Sequence, residues 1–268
     1  PDTARRLDAM EYAAAARRGS LSPAAVRVVY GQRISMTASR LERIRSCHFA
    51  YFMEYGLRAK PREPAAFDAP QIGTFLHYLL ENVTRDVLAQ GGFAAVDNDR
   101  LHGLVRQYID QYAAQELHNF QNRNARFQYL FRRLRNTAYA VIDQVAEELR
   151  HSDFIPMAFE LSFGGKDGTL PAVTISQPDG ELRVGGKVDR VDGWIRDDKL
   201  YLRVVDYKSG KKKFDLANVR MGLDIQMLLY LFALQKEGKR YFGREIEPAG
   251  VLYLPARDEI LSMERNVT

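Results

Sequence analysis

The chain has 268 residues with a hydrophobic fraction of 46% and a charged fraction of 27%, ordinary values that exclude collagen, coiled coil or a mainly disordered polymer. Thirty-nine Lys/Arg against 34 Asp/Glu give a net charge of +5, and residues 1–62 hold 12 basic against 5 acidic residues, which suits a polyanionic partner or, as simply, a solvated arm on an acidic protein. A single cysteine, Cys47, excludes an internal disulfide framework and a self-contained four-cysteine metal site; no apolar run reaches membrane-spanning length, and the start at Pro1 without a signal-peptide pattern suggests a fragment or processed product.

In chain order, residues 4–30 read as two short helices broken around Gly19, Ser20, Ser22 and Pro23. Residues 37–56 read as one helix. Leu41, Ile44, Phe49 and Phe52 recur at helical intervals, and Ser39 with Glu42 has capping-box spacing. Lys60-Pro61-Arg62-Glu63-Pro64 is irregular, because two prolines fix φ and remove donors. Residues 71–90 form a helix closed by Gly91-Gly92, and 99–150 form two or three more. The pattern changes near Pro156. Residues 157–164, 182–195 and 200–208 read as strands, the last two a hairpin across 196–199. A helix over 218–237 and a strand over 249–255 complete the order, a helical N-terminal half followed by β-β-β-α-β.

The hairpin carries the most chemistry. Asp206 and Lys208 stand two apart near the end of an apolar strand, so both project to one side. Asp189 lies near the end of the other arm. Two carboxylates converging there suit a hard cation such as Mg²⁺, and a lysine beside them can hold a water or stabilise developing negative charge. For an isolated Asp-x-Lys, a strand-end ion pair is the commoner explanation. On the helix over 71–90, His77 and Glu81 share a face; a core histidine is the ordinary reading unless this helix packs on the hairpin. Gln226 and Tyr230 are likewise four apart.

Taken in order, Gly73-x-x-x-His77, Gly186-x-x-Asp189-Arg190-Val191-Asp192, Asp206-Tyr207-Lys208 and Gln226-x-x-x-Tyr230 resemble the RecB-type branch of PD-(D/E)XK nucleases. The run from Ser39 to Phe52, with Cys47, is similar to the segment preceding this nuclease in the B subunit of bacterial AddAB-type helicase–nucleases. The resemblance covers about residues 34–260. It implies a restriction-endonuclease-like α/β fold, a mixed central sheet flanked by helices. It implies an arm over 1–33, a cysteine-bearing helix and linker over 34–62, and a nuclease core over 63–268 with a helical insertion at 99–150.

The resemblance further implies that His77, Asp189, Asp206 and the backbone carbonyl of Tyr207 bind Mg²⁺ or Mn²⁺, that Lys208 positions the attacking water, and that Gln226 and Tyr230 orient the lysine or the DNA. Glu160 is a possible extra contact, although an exposed strand glutamate is commoner, and Asp192 is a partner of Arg190. The reaction the resemblance implies is metal-dependent hydrolysis of DNA to a 5′-phosphate, on a strand from a broken duplex end, in a cytoplasmic complex with a helicase–nuclease A subunit. Relatives of this kind place three further cysteines after the core and hold a 4Fe–4S cluster. With one thiol here, Cys47 is expected to be a cluster ligand in the parent protein and a free thiol in this chain. Two alternatives share the fold: a DNA-binding scaffold without turnover, and a stand-alone or CRISPR-associated nuclease.

Overall fold

The structure, a computed structural model, describes residues 5, 19–60, 69–115, 125–164, 168–178, 180–208 and 214–255. The first predicted N-terminal helix and the prolines at 61 and 64 lie outside the described residues. Helix α1 (Pro23–Tyr30) has Ser22 as N-cap and Pro23 in its first turn, so this proline starts a helix rather than merely interrupting one. Strand β1 (Arg33–Thr37) follows, then α2 (Ala38–Ser46), the short α3 (His48–Tyr51) and a π-helical turn at Phe52–Gly56.

The single helix expected over 37–56 is therefore broken. Cys47 adopts an extended conformation between α2 and α3 and caps the second piece, its Sγ accepting from Ala50 N at 3.4 Å. The capping box is also corrected. Thr37 caps α2, accepting from Arg40 N. Glu42 reaches away to accept the backbone N–H of Gln226 at 3.2 Å, because a donor exposed at another helix start competes for its carboxylate.

Three long helices come next: α4 (Ala69–Ala89), α5 (Asn98–Gln115) and α6 (Ala125–Arg150). Each buries one apolar stripe. On α4 it runs through Phe75, Leu76, Leu79, Leu80, Val83 and Val87, the spacing a half-buried helix requires. Arg150 at the end of α6 fastens the turn between α4 and α5, donating to the carbonyls of Phe93 and Val96 at 3.1 and 3.0 Å. No helix among the described residues is long and apolar enough to cross a membrane.

The sheet comprises β1, β2 (Ile155–Phe163), β3 (Val173–Gln177), β4 (Gly180–Arg196), β5 (Lys199–Lys208) and β6 (Ile246–Pro255). Strand β4 is its spine. The first part of β4 pairs with β1 in parallel and with β3 antiparallel; the rest pairs antiparallel with β2 and β5. Strand β6 joins β5 in parallel. The α/β fold is thus a mixed central sheet flanked by helices. Strands β1 and β3 are additions to the expected order: Arg33–Thr37 and Val173–Gln177 are short, largely exposed edge segments, and their apolar content is too low to announce a strand. The helix expected over 218–237 divides into α7 (Leu216–Arg220) and α8 (Gln226–Glu237), followed by α9 (Lys239–Phe242). Between α7 and α8, Gly222 and Asp224 take φ of 79° and 54°, a left-handed turn that a continuous helix cannot contain.

Alternation along β5 feeds two cores. Val205 and Tyr207 pack with α4, α5 and α6, whereas Leu200, Leu202 and Val204 pack with α8, β2 and β4. The helical layer hides a charge network. Arg190, fully buried, lies 2.7 Å from Asp192 and donates to the Tyr207 hydroxyl at 3.1 Å. Arg203 donates to Asp192 at 2.9 Å, and Glu148 of α6 closes the network through Arg203 and Arg190. Removing one member of a buried pair leaves the other unneutralised. Asp192→Ala is therefore expected to destabilise the chain by about 3–5 kcal/mol, read as a lower urea midpoint.

Candidate active site

The middle of β4 and the end of β5, with α4 and β2, bring most of the predicted site residues together. His77, half-buried at the border of the α4 apolar stripe, faces β2, β4 and β5. Its Nδ1 lies 3.6 Å from Asp189 Oδ1 and 3.8 Å from Glu160 Oε1, electrostatic contacts longer than hydrogen bonds. Its Nε2 is 3.3 Å from the Tyr207 carbonyl. A proton on Nε2 satisfies that carbonyl and turns the Nδ1 lone pair toward the two carboxylates. Asp189 accepts the Tyr207 N–H at 3.0 Å through its other oxygen, so one side chain both closes the end of the β4–β5 ladder and faces His77. The ligand atoms of His77, Glu160 and Asp189 all lie within 4.8 Å of one another.

Asp206 and Lys208 share one side of β5, as their spacing requires, with Lys208 Nζ 2.8 Å from Asp206 Oδ2. Asp206 is 4% exposed, and that same oxygen accepts no directed hydrogen bond among the described residues. Asp206 stands outside the three-residue cluster but close enough for its charge to act on Asp189. Asp192 turns away from the cluster into the ion network with Arg190. On α8, Gln226 Nε2 donates to the Tyr230 hydroxyl at 3.1 Å. Tyr230 lies over Gly186, where an added Cβ would stand 2.6 Å from the ring. Cys47 is an exposed free thiol between α2 and α3.

Glu160 carries more than its sequence context suggests. It is half-buried, its carboxylate pairs with Lys187 as well as facing His77, and it holds φ at 51° between the strand pairs Phe159↔Arg190 and Leu161↔Val188. A left-handed residue inside a strand is strained, and such strain concentrates at functional sites. A lone acid within an apolar strand is the sequence signal available for it. Lys187, adjacent to the Gly186 motif, is a site residue that sequence reasoning misses.

The electrostatics are unbalanced. Burial raises Asp189 to about 6, the charges of Asp206 and Glu160 adding to it against the opposing pull of His77 and the Tyr207 N–H. For His77, burial opposes the charged form, but Glu160 and Asp189 outweigh it and raise the pKa. For Glu160, burial works against ionisation, while His77 and Lys187 prevail and lower it. Hard oxygen donors with one imidazole and a carboxyl pushed up chiefly by burial together fit a divalent cation.

Comparison with known proteins identifies a family and relatives. Residues 35–267 match the sequence model of the PD-(D/E)XK nuclease superfamily. Among similar proteins, the B subunit of the ATP-dependent helicase/deoxyribonuclease of Clostridium tetani (strain Massachusetts / E88) is 32% identical over 245 residues, 91% of this chain and 21% of the relative. The protein of the same name from Clostridium novyi (strain NT) is 34% identical over 251 residues, 92% of this chain and 22% of the relative. That of Acetivibrio thermocellus is 34% identical over 238 residues, 88% of this chain and 21% of the relative. The chain thus spans about a fifth of the length of the relatives it matches.

Two outcomes follow from the geometry. From its ordinary 3.8 up to about 6, Asp189 is protonated in the folded chain where the unfolded chain has released the proton. Stability therefore falls as pH rises through that window, and His77 acts in the same sense above its ordinary 6.5. Urea midpoints measured across it should show this slope without divalent cation, and Asp189→Asn should flatten it. Gly186→Ala should displace the Tyr230 ring and cost about 1–3 kcal/mol, seen as a lower melting temperature.

Proposed function

The chain belongs to the PD-(D/E)XK nuclease superfamily, and from that premise we propose that it hydrolyses phosphodiester bonds in DNA with a divalent metal ion. The observation carrying this reading is the convergence of His77, Glu160 and Asp189 beside the Asp206–Lys208 pair. Mg²⁺ or Mn²⁺ would be held by His77, Asp189, Asp206 and the Tyr207 carbonyl, with Glu160 as a further donor; when bound it supplies Lewis acidity and lowers the pKa of water.

The chain's own residues supply the rest. Lys208, 2.8 Å from Asp206, orients the attacking water and stabilises the negative charge that grows on the phosphate oxygens as phosphorus is attacked. The water adds to phosphorus, the P–O3′ bond breaks, and a 5′-phosphate and a 3′-hydroxyl result. Asp189 holds the Tyr207 peptide, and so its carbonyl, in place through the bond to its N–H. Gln226 and Tyr230, linked to each other, position Lys208 or the scissile strand.

The names of the relatives support a larger setting. We place this chain as the nuclease domain, with its core over 63–268 and a helical insertion at 99–150, of a B-type subunit that works with a helicase–nuclease A subunit on broken DNA ends in the cytoplasm. A 4Fe–4S cluster does not fit the chain's own donors, since four thiolates are the norm and Cys47 is the single cysteine. In this reading Cys47 serves as one ligand among others from the longer protein, and no step of hydrolysis depends on it.

The test is cleavage of labelled single-stranded DNA with Mg²⁺, with EDTA and with substituted chains. Wild type should cut only with metal. Asp206→Ala and Asp189→Ala should each lower the rate at least about 100-fold, and Lys208→Ala should do likewise while calorimetry still detects metal binding. Cutting that persists in EDTA, or in Asp206→Ala, sinks the proposal.

A further inference from the structure

The acidic cluster presents a problem for a polyanionic substrate: Glu160, Asp189 and Asp206 repel the phosphates they are meant to receive. Attraction from elsewhere would offset this, and one groove is placed to supply it. A groove of about 1360 Å³ runs between the start of α2, Gly164 and residues 168–172, the middle of β4 and the α8–α9 region. It shares Lys187, Gly186 and Tyr230 with the candidate active site. Four cationic side chains line it, Arg40, Arg183, Lys187 and Arg240, and no carboxylate does so among the described residues.

The four cations are not equivalent. Arg183 pairs with Glu181, and Lys187 with Glu160. Arg40 and Arg240 have no carboxylate partner among the described residues. Arg40 is held in place without being neutralised: it donates to the Ser35 carbonyl at 3.0 Å and its guanidinium stands 4.3 Å above the Tyr55 ring. Its Nε is buried and has no hydrogen-bond partner among the described residues. Arg240 is exposed on α9 beside Tyr241, whose ring is 46% exposed and also lines the groove. Gly164, Gly168, Gly185 and Gly186 also line the groove and present backbone rather than side chains.

Unneutralised guanidinium groups attract phosphates irrespective of sequence. An exposed tyrosine stacks on the face of an unpaired base, a surface that a stacked duplex keeps covered. We infer that this groove is the path along which single-stranded DNA approaches the acidic site, with Arg40 and Arg240 as phosphate contacts and Tyr241 as a base-stacking platform; the inference rests on the nuclease reading above. Paired with Glu160, Lys187 stands where the cationic groove meets the acidic cluster.

The test is binding of the full chain to fluorescein-labelled oligothymidylate in EDTA, followed by anisotropy across a salt series, with cleavage in Mg²⁺ measured in parallel. The double variant Arg40→Gln/Arg240→Gln should bind about tenfold more weakly, and the slope of log affinity against log salt should fall by about 0.7 for each arginine removed. The loss should be equal on a mixed-sequence oligonucleotide, and KM for cleavage should rise in step. Tyr241→Ala should weaken single-strand binding at least about fivefold without altering the salt slope. Arg133→Gln, which removes an exposed charge on α6, controls for net charge. If Arg40→Gln lowers the melting temperature, Arg240→Gln and Tyr241→Ala alone carry the test, since both side chains are exposed. A wild type that cuts DNA while the variants keep its affinity and salt slope overturns the groove and leaves the nuclease reading standing. Equal loss with Arg133→Gln, or tighter binding of a blunt duplex than of the single strand, also overturns it. A wild type that neither binds nor cuts overturns both.

Discussion

A guanidinium with no access to solvent has to be neutralised from within, and Arg190 imposes that requirement on three elements at once. Asp192 answers it from the same strand, Arg203 and Tyr207 join from β5, and Glu148 arrives from α6. Such a network adds little net stability over apolar packing, but it penalises any arrangement in which one member is missing. Its consequence for chemistry is local. The hydroxyl of Tyr207 is held by Arg190 on one side while the Tyr207 peptide meets Asp189 and His77 on the other. The backbone at the candidate site is thus pinned from beneath.

Above that anchor the site is arranged in the opposite way. Its carboxylates crowd one another instead of cancelling. Asp189 is pushed up to about 6, chiefly by burial and then by neighbouring acids. Glu160 holds a left-handed backbone within a strand. Asp206 keeps a buried oxygen without a directed hydrogen bond. The first two are costs in the free chain, and the carboxylates of Asp189 and Glu160 converge on one spot with His77, so a cation there would offset both. The network below balances two arginines with two carboxylates, whereas Asp189 above has no arginine or lysine ion pair among the described residues; this contrast separates scaffold from candidate chemistry more clearly than burial alone.

The cationic groove completes the electrostatic division. Anion-attracting and cation-attracting regions meet at Lys187, which belongs to both. Helix α2 also enters this arrangement, because Glu42 caps the N–H of Gln226 and Arg45 donates to the Met221 carbonyl at 3.3 Å. The cysteine-bearing N-terminal segment is therefore tied directly to the helix that carries Gln226 and Tyr230.

Much of this was legible in the sequence because it depends on short-range periodicity. Alternation along β5 required Asp206 and Lys208 to share a side, the i, i+4 spacing put Gln226 within reach of Tyr230, and the apolar periodicity of α4 marked a helix. Ordered motifs added the α/β class and the superfamily. Tertiary structure alone decided the rest. Edge strands β1 and β3 are too short and exposed to declare themselves and exist because β4 offers them a ladder. Glu42 looks like a capping residue until Gln226 competes for it from 184 positions away. Glu160 looks like a solvated strand residue until a left-handed turn of its backbone aims it at His77. Spacing determines which side chains can share a face; which faces then meet, and which charges go unpaired when they do, is set by packing between elements distant in the chain.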